Sequence, residues 1–277
     1  MLAALINGCP ASEALHAVSI EERGLAYGDG LFETMLLHAG GIRFLTDHLA
    51  RLRLGGARLG ISVPDERVIR SDIANLIRSH QDGIVKIIIT RGAGGRGYRP
   101  SDSLKPTRIA MLYPPPTDDP RDGIVVRWCT TRLARNSQLA GIKHLNRLEQ
   151  VMAQNEWRDP SIAEGLMLDT EGEVIGATTS NVFIVADGVL TTPDLRFSGV
   201  RGVMRGRALE AANSIDIETR ESELRPEDIH AASEVFLTNA VRGIRSVSML
   251  GERQFRSNSV AQRLTAAIKS MNRVLTI

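Results

Sequence analysis

Residues 139–151 read LAGIKHLNRLEQV, and their reading decides the rest. Lys143 follows the apolar run Leu139, Ala140, Gly141, Ile142 and precedes His144, an uncommon address for a residue that ordinarily lies on solvated faces. Asn146 and Glu149 have capping-box spacing, and Leu148, Val151 and Met152 supply an apolar stripe at helical intervals. The pattern predicts a helix with Lys143 held at its entrance.

Around this stretch, 277 residues with 43% hydrophobic content are enough for one large or two medium domains with filled cores. Lys and Arg number 34 against 32 Asp and Glu, a formal charge of +2. That balance excludes the broad basic face of a nucleic-acid binder, so any cationic site must be local. Cys9 and Cys129 have no metal-ligand or redox-motif spacing, so no metal is expected and a reducing compartment fits. The start MLAALINGC lacks the basic region and apolar length of a secretion signal. No apolar run reaches membrane-spanning length, and the expectation is a soluble cytoplasmic protein.

From the N-terminus, Leu2 to Ile6 followed by Asn7-Gly8 reads as a strand entering a hairpin turn. Leu31 to Leu37, a turn at 38–41 and Ile42 to Phe44 continue a meander. Asp47 to Gly60 reads as a helix with Thr46 or Asp47 as its cap, and Pro64-Asp65 opens a second with Ile69, Ile73, Leu76 and Ile77 on one face. Ile84 to Thr90 is dense in β-branched residues and predicts a buried strand.

Directly after it, Gly92 to Gly97 (GAGGRG) satisfies G-x-G-x-x-G. The dinucleotide reading fails because Pro100 and Pro106 stand where the phosphate-binding helix should run. A loop of glycine and arginine suits closure over an acidic small molecule. After a strand at Ile109 to Tyr113, YPPPTDDPRDG interrupts all periodicity. The expected organisation is an N-terminal domain of 1–113, a linker of 114–123 and a C-terminal domain of 124–277. In the latter, Ile124 to Thr130, Gly165 to Asp169, Asn181 to Val185, Val189 to Thr192 and Glu234 to Thr238 read as strands of a curved sheet or pseudo-barrel. A glycine-bounded turn at SGVRGVMR, 198–205, enters a helix whose free backbone N–H groups suit an anion. Residues 259–274 carry a last helical pattern.

The string AGIKHLNRLEQV resembles the Schiff-base lysine segment of the aminodeoxychorismate lyases. These belong to the fold-type IV family of pyridoxal 5'-phosphate (PLP) enzymes, with the branched-chain and D-amino-acid aminotransferases. The likeness extends to Arg23–Thr34, HLARL around Arg51, RGAGGRGY at 91–98, SGVRGVMR and NAVRGI at 239–244. It implies an α+β fold of two domains, a smaller N-terminal α/β sandwich and a larger C-terminal pseudo-barrel. It implies PLP bound through Lys143, with Arg51, Gly202, Val203, Met204, Asn239 and Ala240 holding the cofactor. Thr34 is implied as a hydrogen-bond partner of the lysine. Arg91, Arg96, Tyr98 and Arg242 become candidates for the carboxylates of the substrate. Tyr113 either reaches the cofactor cleft or packs at the domain junction. A homodimer is implied as well.

For the substrate 4-amino-4-deoxychorismate, the implied chemistry gives 4-aminobenzoate and pyruvate on the folate pathway. Lys143, freed by the substrate amine, serves as the base. An aminotransferase of the same fold, or a non-catalytic PLP-binding paralogue, is the alternative. One departure motivates the latter: within EGEVIGATTSNVF the family places a glutamate, partner of the cofactor's pyridine nitrogen, where this chain has Gly176. Glu173 is three positions away, on the opposite face of a strand.

Overall fold

The computed structural model describes residues 1–12, 18–116 and 122–271. The chain forms two compact units, the first comprising 1–116 with 142–146, the second 122–141 with 147–271, among the described residues. Of the expected linker, 117–121 lie outside the described residues, as does the end of the last helical pattern, 272–274.

The first unit runs β1 (Ala3–Ile6), β2 (Cys9–Pro10), α1 (Arg23–Tyr27), β3 (Gly30–His38), β4 (Gly41–Ile42), α2 (Leu45–Leu59), α3 (Glu66–Ile77), β5 (Gly83–Thr90) and β6 (Arg108–Tyr113). Its strands make one antiparallel sheet in the order β2-β1-β6-β5-β3-β4. Asn7 and Gly8 both take positive φ, as the Asn-Gly hairpin requires. Alternation divides the strands: Leu31, Met35, Leu37, Val85, Ile87, Ile89 and Leu112 bury against Leu49, Leu52, Ile69, Ile73 and Leu76 of α2 and α3. The expected caps of α2 differ. Phe44, in the left-handed region, takes the N-cap position with no side-chain bond, while Gly60 ends the helix with φ of 62°. Asp65 caps α3 by accepting from the Arg67 N–H.

After the sequence has left this unit, Ile142–Asn146 returns to it. Phe32 N–H donates to the Lys143 carbonyl at 3.0 Å and Leu145 N–H to the Gly30 carbonyl at 2.9 Å. Ile142 buries in the first unit's core.

The second unit runs β7 (Ile124–Trp128), α4 (Leu148–Gln154), β8 (Ile162–Leu168), β9 (Val174–Ala177), β10 (Asn181–Ala186), β11 (Val189–Pro193), α5 (Val203–Ser214), β12 (Thr219–Ser222), α6 (Pro226–Ala231), β13 (Glu234–Asn239), β14 (Gly243–Leu250), β15 (Arg253–Gln254) and α7 (Ser259–Met271). Its nine-stranded sheet has the order β12-β11-β10-β13-β14-β7-β8-β9, with β15 beside β14. Within this sheet β14 with β7, β7 with β8 and β11 with β12 are parallel. Parallel pairs need long crossovers, which leave no short turn to read. The core holds Leu166, Val182, Val235, Leu237 and Val247.

The capping box expected at Asn146 and Glu149 does not form. α4 starts after Arg147 with no side-chain cap. Asn146 instead donates to the Gly28 carbonyl, and Glu149 accepts from the Ala134 N–H. The apolar stripe on α4 also faces outward: Leu148, Val151 and Met152 are 70%, 53% and 54% exposed.

Candidate active site

Within the first unit, Lys143 is positioned by backbone rather than by a helix. The two hydrogen bonds to Phe32 and Gly30 stitch its segment to β3, and its ammonium lies 4.2 Å from the centroid of the Phe32 ring. That distance is a cation–π contact. Phe32 and Thr34 share one face of β3 by alternation. Thr34 stands directly across from Lys86 in the β3–β5 register, and the Lys86 ammonium lies 5.3 Å from the same Phe32 ring. Sequence reasoning missed both Phe32 and Lys86; the only signal was a lysine inside an otherwise β-branched strand.

On the other face of β3, Glu33 is buried and grips Arg51. Nε of Arg51 donates to Oε1 at 2.8 Å and a terminal nitrogen to Oε2 at 2.5 Å. His48 Nδ1 lies 2.6 Å from Oε2. Burial pushes the Glu33 carboxyl up, but the Arg51 charge and the hydrogen bonds of His48 and Arg51 outweigh it and hold the group at about 2. The guanidinium of Arg51 is therefore fixed in plane by a bidentate partner that sequence reading did not find.

The glycine–arginine loop is moored, not free-standing. Buried Arg23 donates to the carbonyls of Gly97 and Tyr98, both at 2.8 Å, while Tyr27 packs against the Tyr98 ring and accepts from Gly97 N–H. Arg91, expected to face a substrate carboxylate, pairs with Asp29 at 2.7 Å and donates to the Leu59 and Gly60 carbonyls at the end of α2. Burial pushes the Asp29 carboxyl up, yet Arg91 and Arg23 together hold it below its ordinary value. Arg91 is thus committed to holding the loop. Arg96 is exposed, and Tyr98 is 86% exposed. Tyr113 donates its hydroxyl to Met111 Sδ at 3.3 Å.

In the second unit, Gly202 caps α5 in an extended conformation without a side-chain bond. The N–H groups of Val203 and Met204 open the first turn, where a helix has no intrahelical acceptors for them. Gly202 is required: a Cβ there would stand 2.1 Å from Asn181 Oδ1. Asn181 in turn donates to the Val200 carbonyl, fixing the loop before the helix. Across the ladder from Asn181 stands Thr238, whose buried hydroxyl has no hydrogen-bond partner among the described residues. An orphaned hydroxyl beside a helix start suits an anion with several acceptor oxygens. The residues present fit the phosphate of the implied cofactor.

Asn239 follows Thr238 and turns the chain, accepting from the N–H groups of Val241 and Arg242, while its amide donates to Ser180 Oγ at 3.0 Å. Ala240 lies within this turn. Ser180 belongs to a buried polar network absent from the sequence reading. Glu164 accepts from Ser180 Oγ at 2.6 Å, from Thr179 N–H at 2.9 Å, and from Arg245. Arg242 lines a cleft of about 490 Å³ together with Arg245, Gln262, Thr265 and Lys269. Arg205 is buried and pairs with Glu221 at 2.6 Å.

Gly176 lies on β9 opposite Met167. A Cβ added to it would stand 2.9 Å from the Ser180 carbonyl oxygen, which accepts from Ala177 N–H at 2.7 Å. The β9–β10 turn thus closes over the space that a side chain would need. Glu173 binds Arg135 at 2.7 Å and is no substitute.

The sequence pattern of amino-transferase class IV proteins matches residues 30–250. An aminodeoxychorismate lyase of Vibrio harveyi is 32% identical over 88% of this chain and 89% of its own. A putative branched-chain-amino-acid aminotransferase of Methanocaldococcus jannaschii is 30% identical over 93% of this chain and 91% of its own. The crystal structure of 4-amino-4-deoxychorismate lyase from Pseudomonas aeruginosa superposes with a TM-score of 0.91 at 41% identity, covering 99% of this chain and 100% of that one.

Proposed function

The chain belongs to the amino-transferase class IV family, and from that premise we propose that it is a PLP-dependent lyase converting 4-amino-4-deoxychorismate to 4-aminobenzoate and pyruvate, a step toward folate. The observation that carries the assignment of the reacting residue is the stitched segment that sets Lys143 on the Phe32 ring. The full-length likeness to the Pseudomonas aeruginosa lyase selects the reaction over transamination.

When bound, PLP supplies an aldehyde for the substrate amine and an electron-withdrawing ring. Lys143 Nζ would hold the cofactor and, as a free amine, would be the base that takes the proton from the substrate ring carbon whose neighbour loses the enolpyruvyl group. In the second unit the backbone of Gly202, Val203 and Met204, with Asn239 and Ala240, would hold the phosphate; in the first, Glu33 fixes the orientation of Arg51, whose charge the resemblance assigns to the cofactor. Thr34 stands on the Phe32 face to orient the amine.

The outward stripe of Leu148, Val151 and Met152 supports a homodimer, since a second copy covering α4 would bury it. Cys9 and Cys129 are both free thiols, which supports residence in the reducing cytoplasm. No helix among the described residues is long and apolar enough to cross a membrane.

The test is incubation of the PLP-loaded protein with 4-amino-4-deoxychorismate, with 4-aminobenzoate and pyruvate measured. Borohydride treatment followed by peptide mapping is expected to place the label on Lys143. Transfer of an amino group from D-alanine to a keto acid, with no 4-aminobenzoate formed, would replace the lyase by an aminotransferase.

A further inference from the structure

We propose that Glu164 is a positioning residue for the cofactor phosphate: its buried carboxylate orients, through Ser180 and Asn181, the two loops assigned to that phosphate. The proposal rests on the reading above that the start of α5 and the turn at 239–242 hold the phosphate.

Glu164 lies on β8 and is 2% exposed. A carboxylate buried this far needs several donors, and Arg245, Thr178, Thr179 and Ser180 supply them. Arg245 of β14 and Ser180 Oγ, the latter at 2.6 Å, donate to Oε1, while Thr179 N–H at 2.9 Å and Thr178 Oγ1 at 3.4 Å donate to Oε2. Thr178, Thr179 and Ser180 are consecutive, so the carboxylate holds the β9–β10 turn as a unit. Arg245 also donates to Ser180 Oγ at 3.3 Å, which ties the ion pair to the same hydroxyl.

The direction of every hydrogen bond beyond this point follows. Paired with the Arg245 guanidinium, the carboxylate acts as an acceptor only, so Ser180 Oγ gives it its single proton and keeps its lone pairs for donors. One of those donors is Asn239 Nδ2 at 3.0 Å. With its amide nitrogen committed there, Asn239 turns its oxygen to the N–H groups of Val241 at 3.1 Å and Arg242 at 2.8 Å. The turn is thereby closed, and Ala240 N–H has no acceptor among the described residues. The next residue after Ser180 serves the other loop. Asn181 donates to the Val200 carbonyl at 2.8 Å, and its oxygen lies where a side chain on Gly202 would stand. One carboxylate thus reaches the Asn239 turn through Ser180 and the start of α5 through Asn181.

The experiment strips the full chain of cofactor and titrates wild type, Glu164→Gln, Ser180→Ala and Asn239→Ala with PLP and with pyridoxal, which lacks the phosphate, following protein fluorescence. Glu164→Gln and Ser180→Ala are each expected to lower the preference for PLP over pyridoxal about tenfold, with pyridoxal affinity unchanged. Combining the two substitutions should add little to either loss, because both act through Asn239 and Asn181. Ser180→Ala keeps the Glu164–Arg245 pair, so it supplies the answer if Glu164→Gln, which leaves Arg245 buried without its carboxylate, does not fold. A group that only supports the core would weaken both ligands equally or neither; either result in Ser180→Ala overturns the proposal. Loss of the preference in Asn239→Ala, with Glu164→Gln and Ser180→Ala as in wild type, overturns the role of Glu164 and leaves the phosphate reading standing. An unchanged preference in Asn239→Ala places the phosphate elsewhere, and the proposal falls with that reading. None of these measurements needs turnover, so a failure to form 4-aminobenzoate would bear on the lyase reading alone.

Discussion

Phe32 and Glu33 are consecutive on β3 and serve opposite faces of the sheet: the ring of one lies under the Lys143 ammonium, and the carboxylate of the other holds Arg51 in a bidentate grip. One strand thus positions two groups of the proposed site by the two-residue period alone. A one-residue slip of β3 against β5 would exchange them.

The Glu33 carboxyl, held at about 2 against an ordinary 4.5, ties stability to acid. A depressed folded value means that its contribution is fully present above about pH 4.5 and is lost as pH falls toward about 2. The shift corresponds to roughly 3 kcal/mol. Glu33→Gln should therefore cost about that much in urea unfolding at neutral pH and flatten the fall in stability between about pH 5 and 2. A variant that retains the wild-type acid slope would show that another carboxylate governs it.

Gly176 combines a steric and a chemical expectation. With the Ser180 carbonyl 2.9 Å from a new Cβ, both Gly176→Ala and Gly176→Glu should lose about 1–3 kcal/mol of stability as the β9–β10 turn shifts. If the missing carboxylate limits the reaction, Gly176→Glu turns over faster per folded molecule than Gly176→Ala and than wild type. Equal rates in all three would show that the reaction does not depend on a carboxylate there.

Arg91 is expected to act on the fold, not on the substrate. Arg91→Met leaves Asp29 with Arg23 alone and removes the donors to the carbonyls at the end of α2, so stability should fall by about 1–3 kcal/mol. KM of the surviving folded enzyme should change less than twofold. A KM increase with unchanged unfolding midpoint would return Arg91 to the substrate.

The α4 stripe gives a test of assembly. Replacing Leu148, Val151 and Met152 together by Ser, all more than half exposed, should leave the fold intact and convert a dimer into a monomer in light scattering. A variant that remains dimeric would place the interface elsewhere.

How much was legible follows from range. The Asn7-Gly8 turn, the α3 face of Ile69, Ile73, Leu76 and Ile77, and the glycine end of α2 were readable because turn chemistry and helical period act over a few residues. Lys143, Gly202 and Asn239 are proposed for the site through resemblance. Glu33, Lys86, Glu164 and Ser180 were not: a charged residue on a strand reads as solvated, and its partner, Arg51 for Glu33 or Arg245 for Glu164, lies many residues away.

The sequence by itself determined the local elements, the absence of a dinucleotide helix after Gly97, and the family to which the lysine segment belongs. Tertiary structure alone decided what each charge does. It committed Arg91 to Asp29, seated Lys143 on Phe32 through backbone hydrogen bonds, turned the α4 stripe outward, and brought Lys86 onto the Lys143 ring. Strand register sets these pairings, and register depends on distant segments meeting, which no local pattern encodes.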